Sequence, residues 1–205
     1  MLLNMNAFPS DNATGLPRSP LLMSAGDTAL LVIDMQERLL PEMVGSDRLI
    51  WNCRRLIDAC KLFDMPIAVT EQYPKGLRPT TAELAERLPS PLEKLAFSSG
   101  ACGEIFTAWE ALGVHKVLLT GIETHVCVQQ TAYDLLAAGF AVFLAIDAVS
   151  SRFPIDHDTA LRRMDSAGAT LTTTEAAMFE ICEQAGTARF KQLSQLVREQ
   201  PPEKT

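Results

Sequence analysis

Basic charge is scarce in this chain: 18 Lys and Arg stand against 25 Asp and Glu, for a net charge of −7. That balance offers no basic face to a polyanion, and it argues against nucleic acid or an anionic membrane surface as the partner. A small-molecule partner is expected instead. Nothing approaches about 18 consecutive apolar residues, so no membrane span is expected. The first twenty residues lack the charged start and apolar run of a secretory signal, which points to a cytoplasmic protein. The five cysteines are odd in number and form no C-x-x-C pair, which excludes a disulfide framework and a cysteine zinc site. They read as reduced thiols, and nothing calls for a cofactor.

Apolar residues are plentiful, 47% of 205, enough for one domain around a single core. Residues 1–26 are rich in Asn, Ser, Pro and Gly without apolar periodicity. They read as an extended or disordered arm, able to reach across a neighbouring subunit. Residues 27–200 read as the folded domain. There strand-like and helix-like segments alternate, which predicts an α/β fold: three α-β-α layers, with a six-stranded, mostly parallel sheet and helices on both faces. Strands are expected at Ala29–Ile33, Pro66–Thr70, near Lys94–Phe97, and at His115–Thr120, Phe140–Ile146 and Ala169–Thr172. Helices are expected over Asp47–Phe63, Gly103–Leu112, Val128–Ala138 and Asp156–Ala167, with the remainder helical. Cys53 and Cys60 share helical spacing with Leu49, Leu56 and Ile57 and read as core. The long connection from Glu71 to Leu92 carries one short helix near Thr81–Arg87, and such connections at strand ends often touch substrate.

The segment Gly121-Ile122-Glu123-Thr124-His125-Val126-Cys127-Val128 sits where strand residues become helix residues. It puts Cys127 in the first turn of a helix, where unpaired N–H groups and the helix dipole favour a thiolate. In an open α/β sheet, ligands bind at the carboxyl ends of the strands. Asp34 ends the first strand, Cys127 follows the fourth, and Lys94 opens a short edge strand that must turn it inward. Taken singly, these are a helix cap, a core thiol and a solvated charge. Together they form a catalytic set: a nucleophile, a carboxylate to accept and return its proton, and a cation to steady both. Backbone N–H groups of Glu123 and Cys127 are the candidate oxyanion hole. Glu123 and Asp147 also follow strands and rank below Asp34 as functional carboxylates. Gln36, Gln72 and Tyr73 are candidate substrate contacts at the same edge. His125 faces away from Cys127, His115 and His157 read as surface or capping residues, and Phe106 and Trp109 as core or subunit interface.

Three segments carry a resemblance: Leu31-Val32-Ile33-Asp34-Met35-Gln36, Glu93-Lys94, and Gly121 to Val128. Over about Asp27 to Cys182 the chain resembles the isochorismatase-like cysteine hydrolase superfamily, which includes nicotinamidases, N-carbamoylsarcosine amidases, ureido-group hydrolases and isochorismatases. The resemblance implies a catalytic triad of Asp34, Lys94 and Cys127, a cis peptide between Ile122 and Glu123, a six-stranded parallel sheet, and a homo-oligomer. Where nicotinamidases hold a metal through Asp-x-His, this chain has Glu71-Gln72-Tyr73, so no metal is implied. Isochorismatases that cleave a vinyl ether can lack the cysteine; its presence favours an amide, carbamoyl or ureido C–N bond. The wording is closest to the isochorismatase-domain-containing subgroup. The alternatives are a vinyl-ether hydrolase, a ligand-binding protein on the same fold without turnover, and a redox role in which Cys102 or Cys182 resolves an oxidised Cys127.

Overall fold

The computed structural model describes residues 16–202; residues 1–15 of the expected arm lie outside them, as do 203–205. Six strands, β1 (Thr28–Ile33), β2 (Ile67–Gln72), β3 (Leu92–Lys94), β4 (Lys116–Ile122), β5 (Ala141–Ser150) and β6 (Thr170–Thr172), form one sheet. Their order is β3-β2-β1-β4-β5-β6, and every neighbouring pair is parallel. The two central strands are buried along their whole length. Their uninterrupted apolar runs, Ala29-Leu30-Leu31-Val32-Ile33 and Val117-Leu118-Leu119, are what a strand covered on both faces requires.

Period-two alternation divides the core into two halves. Leu30, Val32 and Leu118 pack with α1 (Ser46–Leu62), α3 (Ala82–Ala85), α7 (Thr174–Cys182) and α8 (Ala188–Val197). Ala29, Leu31, Ile33, Val117 and Leu119 pack on the other face with α4 (Gly103–Ala111), α5 (Gln129–Ala137) and α6 (Pro154–Ser166). Cys53 and Cys60 lie fully buried on α1, and Trp109 is buried on α4, as their spacing predicts. A remaining short helix, α2 (Pro74–Leu77), follows β2.

The chain steps outward from β1 to β3, then crosses back and steps outward again from β4 to β6. Right-handed crossovers in opposite directions put their helices on opposite faces. The direction reverses between β1 and β4, and a crevice opens beyond their carboxyl ends. That crevice lies where Asp34 and the Gly121–Val128 segment leave the sheet.

Three expectations shift. β3 ends at Lys94 rather than beginning there. β5 continues past Ile146 to Ser150, so Asp147 lies within a strand; its Oδ1 accepts from the Thr174 N–H at 2.7 Å and caps α7. Packing also begins before Asp27: Met23 is fully buried, its N–H donates to Glu180 Oε2, and Arg18 donates to the Glu180 carbonyl.

Gly121 sets how closely the two central strands approach. It pairs with Ile33, has φ of 119°, and a Cβ built on it would lie 2.0 Å from the Ile33 carbonyl oxygen. No L-residue fits there unless β1 moves. Gly113 also has positive φ, 80°, but open space around it. Gly113→Ala should therefore cost only the left-handed penalty of about 1–2 kcal/mol. Gly121→Ala should cost more than about 4 kcal/mol or leave no folded protein. Urea unfolding of the two variants compares them directly, and equal midpoints would mean that β1 can step aside.

Candidate active site

Asp34, Lys94 and Cys127 come from three separate strand ends. Asp34 leaves β1 with a left-handed φ of 50°, anchored by its N–H to the Thr70 carbonyl at 3.1 Å, and it is fully buried. β3 stands two strands away from β1, about 9–10 Å at ordinary strand spacing. A lysine stem is long enough to cross β2, and it places Lys94 Nζ 2.6 Å from Asp34 Oδ2, with the two side chains 1% and 0% exposed. The same ammonium donates to the Phe97 carbonyl at 2.8 Å and to Gln72 Oε1 at 3.1 Å. With the Ala96 carbonyl at 3.4 Å as a fourth oxygen nearby, all three ammonium hydrogens find acceptors, which is how a buried ammonium is tolerated. Because Lys94 closes its strand at the carboxyl edge, no inward turn of the chain is needed.

Cys127 reaches the same point from β4. The peptide bond between Ile122 and Glu123 is cis. Residues Thr124–Val128 then make a single π-helical turn, closed by the Val128 N–H bonding the Glu123 carbonyl at 3.2 Å, and α5 starts at Gln129. Such turns concentrate at functional sites because they re-aim side chains. The cysteine is therefore not in the first turn of an ordinary α-helix. Nor is it a thiolate at rest: burial, then the neighbouring Asp34 charge, push the thiol up to about 12, and Lys94 offsets them only in part. Asp34, Lys94 and the Glu123 backbone N–H are the polar groups that act on the sulfur. Desolvation and a neighbouring carboxylate charge outweigh the partial charge at a helix end.

The other sequence candidates divide. Gln72 steadies Lys94 through Oε1, while its Nε2 donates to the Leu95 carbonyl at 2.8 Å. Gln36 is fully buried, with both amide hydrogens given to the Gln72 and Arg78 carbonyls and its Oε1 accepting the Gln72 N–H. It clamps the connection after β2 and has no donor left for a ligand. Tyr73, half exposed, lines a cavity of about 360 Å³ with Pro74, Lys75, Glu93 and Leu95, on the outer side of β3. Lys94 touches that cavity, whereas Asp34 and Cys127 do not line it. The Glu123 side chain pairs with Arg152 at 3.2 Å. His157 shares a hydrogen bond with Thr124, and His125 with Ser151, so both histidines brace the π-turn. Burial pushes His157 down and keeps its ring neutral. Cys102 belongs to the same buried cluster as Cys127, while Cys182 lies on the opposite face of the sheet.

Three buried hydroxyls escaped the sequence reading. Thr70 Oγ1 donates to Asp34 Oδ1 at 2.9 Å and contacts Ser99 Oγ at 3.2 Å. The Ser99 N–H donates to Thr131 Oγ1, which donates to the Cys127 carbonyl at 2.7 Å. The available signal was Thr70 itself, a polar residue ending the apolar run Ile67-Ala68-Val69; it pairs with Ile33, the residue before Asp34.

The neutral thiol has a measurable sign. Asp34→Asn removes a negative charge that raises the thiol and leaves Lys94, which lowers it, so Cys127 should titrate at lower pH. Carbamidomethylation of Cys127 at neutral pH, read by peptide mass, should then run at least about tenfold faster than in the wild type. A Cys127 titration that stays in place or moves up in Asp34→Asn would mean that the carboxylate does not face the sulfur.

A profile of the family described as "Isochorismatase domain" matches residues 28–176. Among curated relatives, "Isochorismatase domain-containing protein 2" of Danio rerio is 36% identical over 182 residues, 88% of this chain and 92% of that protein. Among solved structures, the MAR1 ribonuclease of Caenorhabditis elegans superposes with a TM-score of 0.82 at 37% identity, over 89% of this chain and 95% of that one. The YcaC gene product of Escherichia coli, described as an octameric hydrolase of unknown specificity, gives 0.79 at 25% identity, over 88% and 92%. With the matched region running from the first residue of β1 into α7, the chain belongs to the isochorismatase-like hydrolase superfamily.

Proposed function

We propose that this chain is a metal-independent cysteine hydrolase that cleaves an amide, carbamoyl or ureido C–N bond in a small molecule through a thioester. The observation that carries the reading is the buried ion pair of Asp34 and Lys94, 2.6 Å apart, whose charges both act on the Cys127 thiol. In the first half-reaction Asp34 takes the thiol proton as sulfur attacks the acyl carbon. The carbonyl oxygen becomes an oxyanion facing the Glu123 and Cys127 N–H groups, a contribution of about 3 kcal/mol per donor in comparable sites. The C–N bond then breaks, Asp34 returns its proton to the departing nitrogen, and the acyl group stays on sulfur. Water reverses the sequence: it gives a proton to Asp34, adds to the thioester, and the thiolate leaves and recovers that proton.

Lys94 compensates the charge of Asp34 before transfer and that of the sulfur during it. Cys127 is only 6% exposed and Asp34 not at all, which restricts the substrate to a small group entering along one path. The side chains that end β2 are already committed, Glu71 to the Thr80 N–H and hydroxyl and Gln72 to Lys94. The net charge of −7 supports a small substrate over the ribonuclease role in the name of the Caenorhabditis elegans relative. No helix among the described residues is long and apolar enough to cross a membrane, and all five cysteines are free. We read the protein as a cytoplasmic homo-oligomer, in keeping with the octamer described for YcaC. The folded domain is read as residues 27–200, with the described end of the arm, Arg18 to Met23, packed against α7.

The test is ammonia release by wild type and Cys127→Ala from a panel of small amides, carbamoyl and ureido compounds after treatment with a chelator. Release that survives the chelator and vanishes in the variant is expected. Release by Cys127→Ala equal to wild type, or loss on chelation with recovery on adding metal, would sink the reading.

A further inference from the structure

A carboxylate turns readily about its last torsion, which is broad and roughly two-fold. Lys94 pins one Asp34 oxygen, but an ammonium is a point charge and does not fix the plane of the group. The second oxygen, Oδ1, accepts from the Thr70 hydroxyl at 2.9 Å. An ionised carboxylate only accepts, and a hydroxyl has one hydrogen, so Thr70 gives its hydrogen to Asp34. The contact at 3.2 Å between the two hydroxyls must then run from Ser99 to Thr70. Thr70, Ser99 and Thr131 are all fully buried, so no water competes for these bonds. Through its own N–H, Ser99 holds Thr131, and Thr131 holds the Cys127 carbonyl, so one network grips both the base and the nucleophile.

We propose that Thr70 is a positioning residue: its hydroxyl, oriented by Ser99, fixes the plane of the Asp34 carboxylate so that the carboxylate faces the Cys127 thiol. The proposal rests on the reading of Asp34 as the base for Cys127. It goes further in assigning the aim of that base to a third side chain, outside the Asp-Lys-Cys set. Thr70→Val keeps the shape and deletes the hydroxyl; Thr70→Ser keeps the hydroxyl and deletes a methyl group. The charged groups facing the sulfur, Asp34 and Lys94, are unchanged in both.

The measurement is the pH dependence of Cys127 carbamidomethylation, followed on the Cys127 peptide, which needs no substrate. With Thr70→Val the carboxylate swings from the sulfur, and the thiol titration should move down by about one pH unit or more, in the direction of Asp34→Asn. Thr70→Ser should titrate as wild type. Where the panel yields a substrate, Thr70→Val should lose about tenfold or more in kcat with KM little changed, and Thr70→Ser should restore it. Thermal unfolding of each variant checks the fold, and Thr70→Ala replaces the valine variant if that one does not fold.

An unmoved or upward titration in Thr70→Val, with Asp34→Asn shifted, would overturn the positioning role and leave the Asp34 assignment standing. Thr70→Ser shifted as far as Thr70→Val would show that the hydroxyl is not responsible, with the same result. If Asp34→Asn itself leaves the titration in place, Asp34 does not face the thiol, and both readings fall.

Discussion

Either Lys94 or Asp34, buried alone, would be an ion without water or partner, a state that costs several kcal/mol. At 2.6 Å from each other, with neither side chain more than 1% exposed, each supplies what the other lost on leaving solvent. The rest of the site follows from that pairing. The residue on β3 must be long because β2 stands between, and Gln72 on β2 must support the stem it lets pass. Asp34 must turn off β1 in a left-handed conformation to reach the lysine, and Gln36 holds the following connection in place.

The pair also decides the state of the sulfur. A lysine alone beside a buried thiol lowers its titration; the Asp34 charge, together with burial, raises it. The sulfur is thus stored in its less reactive form, and its reactivity is tied to a group that can take the proton when an acyl carbon is in position. A protonated thiol is also slow to oxidise, since the thiolate is the species that peroxide attacks. The redox alternative loses support from that state and from the seat of Cys182 across the sheet; Cys102 shares the cluster, but as a buried thiol raised by its surroundings.

The alternation of apolar runs made the layers and strand sequence readable in advance, because a fully parallel sheet buries its strands on both faces and leaves uninterrupted Leu, Ile and Val. Gly121, Asp34 and Cys127 were legible because strand ends in such a sheet face one crevice. Other features depend on approaches between distant segments, which periodicity does not encode. The end of β3 at Lys94 is set by pairing with Gln72, not by local composition. The π-turn arises where β4 meets α5. Thr70, Ser99 and Thr131 look like ordinary polar residues until the fold seals them from water. Gln36 and Gln72 were placed at the correct edge, yet what they bond is backbone and lysine, which only the three-dimensional arrangement specifies.

Burying thiols has a consequence for the whole molecule in alkali. Cys53, Cys60 and Cys127 are each pushed up to about 12, with burial the first cause in every case. In the unfolded chain the same groups ionise near about 8.5. Between those limits the unfolded chain gives up protons that the folded one retains, so each rise in pH favours unfolding. The protein carries its alkaline limit in three sulfur atoms, two of them with no place in the crevice.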